Sequence, residues 1–447
     1  MNTRSLHRWF AILALLVCLM AIPITVLKVA AAERVYIDIT QPFFKRIPVA
    51  IPDLKMLGGG EGQVAREASG TLAKDLELSG LFRPLDPSGF LEDPQKMGLT
   101  EADINFPSWR RAGADYLARG GYEVAGSRIK LQMRFFDSVT GRLVVGKVYE
   151  GDVRDWPAMM HRFADEILMA LTGEAGVFGT KIAFVQSTGK NKEIFVADFD
   201  GSHVVQVTHD NSIDLSPAWS PDGTRIAYTS YREKFPKIFV SSLADGGSRV
   251  LCGYPGLNST PAWRPGGGEL AVTLSTEGNP DIFLVSSSGA IVRKLVGGPG
   301  NDTSPSWSPD GHKLAYVSDE TGNPQIYVLD LGSGQKRRVS FNGNYNTSPS
   351  WSPKGDLIAY CGTSGGRYDI FVVRADGGGA RALTSGPGSN VDPRWSPDGR
   401  MLVFGSTRDG SSAIWIMSAN GEGARRLTKS SGEQQLPSWS PRSPRRE

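Results

Sequence analysis

Cysteine is scarce: three residues in a chain of 447. Cys18 falls in the apolar N-terminal stretch, which leaves Cys252 and Cys361. They lie in different repeat units at non-matching positions, so two buried unpaired thiols are expected rather than a disulfide. No Cys/His spacing of a zinc site occurs. Histidine is also sparse. After residue 32 it occurs at His161, His203, His209 and His312, at no shared repeat position, which argues against a ring of metal ligands. An excess of one charge is lacking too. Lys and Arg number 49 against 46 Asp and Glu, and residues 1–32 carry Arg4, Arg8 and Lys28 with no acid. Without those three the balance is neutral, which argues against a nucleic-acid binder, since that needs a basic footprint. Beyond residue 27 no apolar run approaches the length of a membrane span. A hydrophobic share of 40% with 21% charged residues excludes a disordered chain or a long coiled coil.

What is present begins with an export signal. Basic Arg4 and Arg8 precede an apolar run from Trp9 to Leu27, and Ala30, Ala31 and Ala32 follow. This is the order of a secretory signal, with cleavage expected after Ala32. The rival reading is a retained anchor, because the run could span a bilayer. Pro23, Lys28 and the alanine triplet favour cleavage, and so an exported protein.

The second half is governed by a repeat. Trp219, Trp263, Trp307, Trp351, Trp395 and Trp439 follow one another at intervals of 44 residues, and three of them, Trp219, Trp307 and Trp395, open a Trp-Ser-Pro-Asp-Gly turn. A fixed period of this size marks a solenoid, propeller or array. Each period reads as four short β-strands joined by Gly- and Pro-bearing turns, the content of a propeller blade. Strands of the Ile-Phe-Val type recur six times, from Ile194 to Ile414, and those of the Ile-Ala-Tyr type six times, from Ile182 to Leu402. The six tryptophans are offset by one unit, so the C-terminal segment ending in Trp439 should pair with the unit opening at Lys181. That closure leaves no free edge. The fold class expected is an α/β N-terminal domain followed by an all-β six-bladed β-propeller. The expected boundaries are a signal at 1–32, the α/β domain at 33–173, a linker at 174–177, the propeller at 178–441 and a tail at 442–447. Within the first domain, strands are expected at 35–39 and 47–51, and helices over 61–78 and 156–171, the second ended by Gly173.

Motifs that suggest chemistry have plainer readings. Gly362-Thr-Ser364-Gly-Gly366 fits a nucleophile elbow, but an Ile-Phe-Val strand follows where the elbow needs a helix, so it reads as a hairpin loop. Asp198-Phe-Asp200-Gly201 resembles the start of a calcium loop without the closing Glu, and reads as a turn. No catalytic residue, cofactor or metal is expected. One polar set resists dismissal. Asp214-Leu-Ser216, Asn258-Ser-Thr260, Asn301-Asp-Thr-Ser304, Asn346-Thr-Ser348 and Asn390-Val-Asp392 each precede a tryptophan, and read as loops. If the tryptophan strand is innermost, they ring one mouth of the axial channel. They either cap turns or dock a ligand or peptide.

The whole chain resembles the TolB family of the Tol-Pal system. The resemblance rests on the order of signal, α/β domain and Trp-Ser-Pro-Asp-Gly repeat. It rests also on Leu72-Ala-Lys-Asp-Leu-Glu-Leu-Ser-Gly80, Asp165-Glu-Ile-Leu-Met-Ala-Leu-Thr-Gly173 and Phe178-Gly-Thr-Lys-Ile-Ala-Phe184. It implies a non-catalytic periplasmic adaptor that helps maintain the outer membrane and its constriction during cell division. Its partners would be the lipoprotein Pal at the propeller mouth and TolA at the mature N-terminus, with other outer-membrane proteins left open. The Pal face would comprise Leu257, Asn258 and Thr260, then Asn301, Asp302 and Thr303, then Asn346, Thr347 and Asp392. The TolA segment would be Glu33, Arg34, Val35, Tyr36, Ile37 and Asp38. The alternative is a secreted propeller enzyme such as a glycan lyase, for which Asp392 and Arg394 are the nearby hints.

Overall fold

The computed structural model describes residues 46–59, 62–429 and 432–442. The export signal, the 35–39 strand and the six residues of the TolA segment lie outside the described residues.

In the N-terminal region, alternation of apolar and polar residues builds a mixed sheet. Its spatial order is Phe82–Pro84, Ile47–Ala50, Tyr116–Ala125, Arg128–Asp137 and Leu143–Asp152, with Lys55–Met56 also paired to Tyr116–Ala125. Arg128–Asp137 shows the period of two, with Ile129, Leu131, Met133 and Phe135 all buried. Two long helices, Gly62–Leu78 and Trp156–Thr172, pack on each other. Pro157 opens the second helix, and Gly173 ends it in the left-handed region at φ 75°, its N–H donating to the Met169 carbonyl at 3.0 Å. Met160, Phe163, Ala164 and Ile167 form its buried stripe. Between the helices, His161 Nδ1 meets Asp75 Oδ2 at 2.7 Å, both side chains buried. Arg119 is fully buried on the sheet. Its guanidinium donates to the carbonyls of Asp53, Pro94, Met97, Gly98 and Gly120, and so pins the irregular segment around 94–98.

The propeller follows as six four-stranded antiparallel sheets. In one blade the strands are Asp214–Trp219, Arg225–Ser230, Lys237–Ser242 and Ser248–Cys252. The second and third strands are buried on both faces because each blade is sandwiched between two others. Ala227, Ile238 and Val240 of this blade share one apolar cluster with Trp263, Leu270, Val272 and Phe283 of the next. The tryptophans are buried and tie blade to blade. The indole N–H of Trp263 donates to the Ala218 carbonyl at 3.2 Å, that of Trp307 to Ala262 at 3.0 Å, and that of Trp395 to Ser350 at 3.0 Å. Trp351 departs from this rule and donates to Gly355 in its own turn. The ring closes as the repeat count requires: Gln434–Trp439 pairs antiparallel with Lys181–Thr188, placing Trp439 opposite Ile182.

The Ser and Asp of the repeated turn cap it locally. In Ser308-Pro-Asp310-Gly, Ser308 Oγ donates to Asp310 Oδ1, and Asp310 accepts the His312 N–H at 2.9 Å. The nucleophile-like motif lies at the hairpin between Leu357–Ser364 and Arg367–Arg374. Asp198 to Gly201 is a turn closed by a Gly201 N–H to Asp198 carbonyl bond of 2.9 Å. Cys252 and Cys361 are both buried and free.

Candidate functional site: the propeller mouth and channel

The loops expected before each tryptophan are instead the first half of the innermost strands, as in Asn258–Trp263, Asp302–Trp307, Asn346–Trp351 and Asn390–Trp395. The reason is a bulge. Each strand pairs with the second strand of its blade at both ends but slips register in the middle, for example between Leu215 and Ala218 and between Ser259 and Ala262. At the slip stands one residue in the left-handed region. These are Ser216 at φ 53°, Thr260 at 46°, Ser304 at 54°, Ser348 at 53°, Asp392 at 54° and Leu436 at 52°. A proline follows every one of them. Side chains rarely tolerate this backbone, and such residues cluster at functional sites. Here they recur six times around one axis. The signal was on view in the sequence, because a Pro two places before each Trp marks a bulge or edge in what otherwise reads as strand.

The six innermost strands surround a cavity of about 450 Å³. Its walls are Ser, Thr, Pro, Trp and Ala, and its charged lining residues are Asp392 and Arg394. Asp392 accepts from Ser348 Oγ at 2.6 Å, across two blades. Burial lowers the pKa of Arg394, and Asp392 counters part of that. The cavity is therefore nearly neutral and hydroxyl-lined, a surface for a peptide or small polar groups rather than for a polyanion.

Of the nine residues expected to face Pal, Thr260 and Asp392 line the cavity. Leu257, Thr303 and Thr347 are half-buried at the strand starts, and Asn301 is exposed and bound to Asp319 at 2.7 Å. Asn258, Asp302 and Asn346 are buried beneath this rim. Asn258 is occupied by the backbone of Tyr254, at 2.9 Å to the amide and 2.7 Å to the carbonyl. Asn346 Nδ2 donates to Gln325 Oε1 at 2.8 Å. Burial pushes the Asp302 carboxyl up to about 6, against a hydrogen bond from Ser318. These three brace the rim and do not offer side chains to a partner.

A small α/β domain joined to a six-bladed propeller with a polar axial mouth defines a class of two-domain propeller proteins. Residues 168–443 match the family model of the TolB beta propeller domain, and residues 35–144 that of the TolB amino-terminal domain. The chain belongs to the TolB family. Among its relatives, the Tol-Pal system protein TolB of Desulfosudis oleivorans is 42% identical over 218 residues, 48% of either chain. That of Syntrophotalea carbinolica is 41% identical over 219 residues, 49% of either chain. The chain thus spans about half the length of the curated relatives it matches. The solved structure of TolB from Acinetobacter baumannii is similar over 89% of this chain and 97% of its own, at 26% identity and a TM-score of 0.76. The α/β domain, the six-bladed propeller and the family resemblance read from the sequence are borne out. Among the described residues no helix is long and apolar enough to cross a membrane.

Proposed function

We propose that the protein is a non-catalytic adaptor of the Tol-Pal system that works in the periplasm after removal of residues 1–32. Residues 33–173 form its first domain, 178–441 its propeller, and 174–177 and 442–447 a linker and a tail. Pal docks at the propeller mouth, with Leu257, Thr260, Asn301, Thr303, Thr347 and Asp392 as its contacts. TolA engages residues 33–38, a strand-capable run that can add to a partner's sheet edge. Linking the two partners supports outer-membrane integrity and constriction at division.

The observation that carries this reading is the six-fold ring of left-handed residues around a neutral, hydroxyl-lined cavity. Such a mouth offers backbone groups and small side chains to a docking chain, and it lacks a cluster of acid, base and nucleophile. The test is binding of residues 33–447 to the soluble parts of Pal and TolA from the same organism, with and without residues 33–38. The shortened chain should lose TolA and keep Pal. Full TolA binding by the shortened chain removes the assigned segment, and binding of neither partner by the intact chain removes the adaptor reading.

A further inference from the structure

Just beneath the mouth, several junctions between blades bring buried polar side chains at the start of a third strand up to the start of the next innermost strand. At one junction an acid meets an amide: Asp369 Oδ1 accepts from Asn390 Nδ2 at 3.0 Å and from Thr384 Oγ1 at 2.8 Å. At another, Gln325 Oε1 accepts from Asn346 Nδ2 and Ser340 Oγ, each at 2.8 Å. At a third, Asp281 and Asp302 repel each other, and Lys294 Nζ covers Asp281 at 2.8 Å.

The junction of Glu193 with Asp214 breaks this pattern. Asp214 occupies the repeat position of Asn258, Asn346 and Asn390, but it brings a second carboxylate in place of an amide donor. Asp210 adds a third. One carboxylate oxygen of each of Glu193, Asp210 and Asp214 lies within 4.8 Å of the other two. Asp214 is fully buried, and neither of its oxygens receives a hydrogen bond of good geometry. Burial pushes the Asp214 carboxyl up to about 7, with Asp210 and Glu193 adding to the rise and the nearby Ser230 and Thr208 hydroxyls opposing it; Thr208 Oγ1 already donates to Glu193 at 2.6 Å. Asp210 Oδ1 is likewise buried and without a partner. One guanidinium, that of Arg232, meets the cluster at its edge. It reaches Asp210 Oδ2 at 3.3 Å and Ser248 at 3.0 Å, with its guanidinium stacked 3.7 Å over the Phe239 ring.

Three converging carboxyl groups share one guanidinium in a buried place, and ionising all three is costly unless a cation answers them. The donors are all oxygen, and the spacing suits one ion with oxygens at about 2.4 Å on either side, which is calcium. We propose that Glu193, Asp210 and Asp214 form a structural calcium site that locks the first blade to the second. It stands apart from the channel, and its ligands come from three separate elements.

The test uses the purified protein stripped with EDTA, with calcium chloride or magnesium chloride as the probe. Wild type should bind one calcium per chain and melt several degrees higher in millimolar calcium. Asp214→Asn, which installs the amide of Asn258, Asn346 and Asn390, should fold, melt at or above the stripped wild type, and show no calcium response. Glu193→Gln should also lose the response, which covers the case that the first variant fails to fold. Asp392→Asn, in the channel, should keep it. No response of wild type to calcium, a response to magnesium alone, or a calcium response that survives Asp214→Asn and Glu193→Gln each overturns the proposal.

Discussion

The left-handed ring can be tested at Thr260 by the sign of an alanine–glycine difference. In ordinary strand, Gly is less stable than Ala by about 0.5–1 kcal/mol, because it loses more backbone freedom on folding. In the left-handed region a Cβ costs about 1–2 kcal/mol. At Thr260, with φ 46°, the second effect exceeds the first. Both Thr260→Ala and Thr260→Gly lose the same 2.8 Å hydrogen bond to the buried Thr273 hydroxyl, so that loss cancels in the comparison. Thr260→Gly should therefore be more stable than Thr260→Ala by about 0.5–1 kcal/mol. Ser259, one residue earlier and outside the positive-φ set, should show the reverse order. The assay is urea unfolding of the four variants, read as midpoint differences at constant slope. An alanine variant at 260 that equals or exceeds the glycine variant refutes the claim that these strands store backbone strain at the mouth.

The His161–Asp75 pair makes stability fall at high pH. Burial works against the charged ring, but the hydrogen bond and charge of Asp75 outweigh it and raise the His161 pKa, while burial raises that of Asp75 against His161. Both shifts mean that the native state holds more protons than the unfolded one; the His161 contribution is complete below its unfolded value of about 6.5 and is lost as pH rises through the folded value. Melting temperatures across neutral to alkaline pH should decline in wild type and flatten in the double variant Asp75→Asn, His161→Gln; an unchanged decline rules the pair out as its source. Arg119→Met should cost more than about 3 kcal/mol by leaving carbonyls around 94–98 without donors, and should open that segment to limited proteolysis; full resistance contradicts the role given to Arg119. Trp307→Phe should cost about 1–3 kcal/mol in urea unfolding, since it removes the indole bond to the Ala262 carbonyl of the neighbouring blade and leaves the buried site underfilled; no loss removes the indole bond as an inter-blade tie.

The parts of the fold most legible in the sequence were those carried by repetition. The 44-residue spacing of tryptophans and the offset of Trp439 specify both the blade and its closure on Lys181. The mouth was legible in position but not in conformation. Asn258, Asp302 and Asn346 are polar residues at a loop-like place, yet they turn inward, because the bulge sends alternate side chains beneath the rim. The proline after each left-handed residue was the available clue. The acid cluster was less accessible. Glu193, Asp210 and Asp214 come from three elements and show no motif spacing, though superposing the repeats exposes Asp214 and Asp302 as acids where the other four units carry amides. His161 and Asp75 lie 86 positions apart, and only the packing of two helices joins them.

The central claim is that the propeller mouth is where Pal docks. Calorimetric titration of residues 33–447 with the soluble part of Pal, for wild type and for Thr303→Tyr, addresses it most directly. Thr303 is half-buried at the start of an innermost strand, in regular pairing with Val317, so a tyrosine there crowds the rim while the ring stays intact. The account predicts saturable binding by wild type and a drop of at least about tenfold, or about 1.4 kcal/mol, in the variant with its melting temperature preserved. Equal affinity of the two proteins contradicts docking at the mouth.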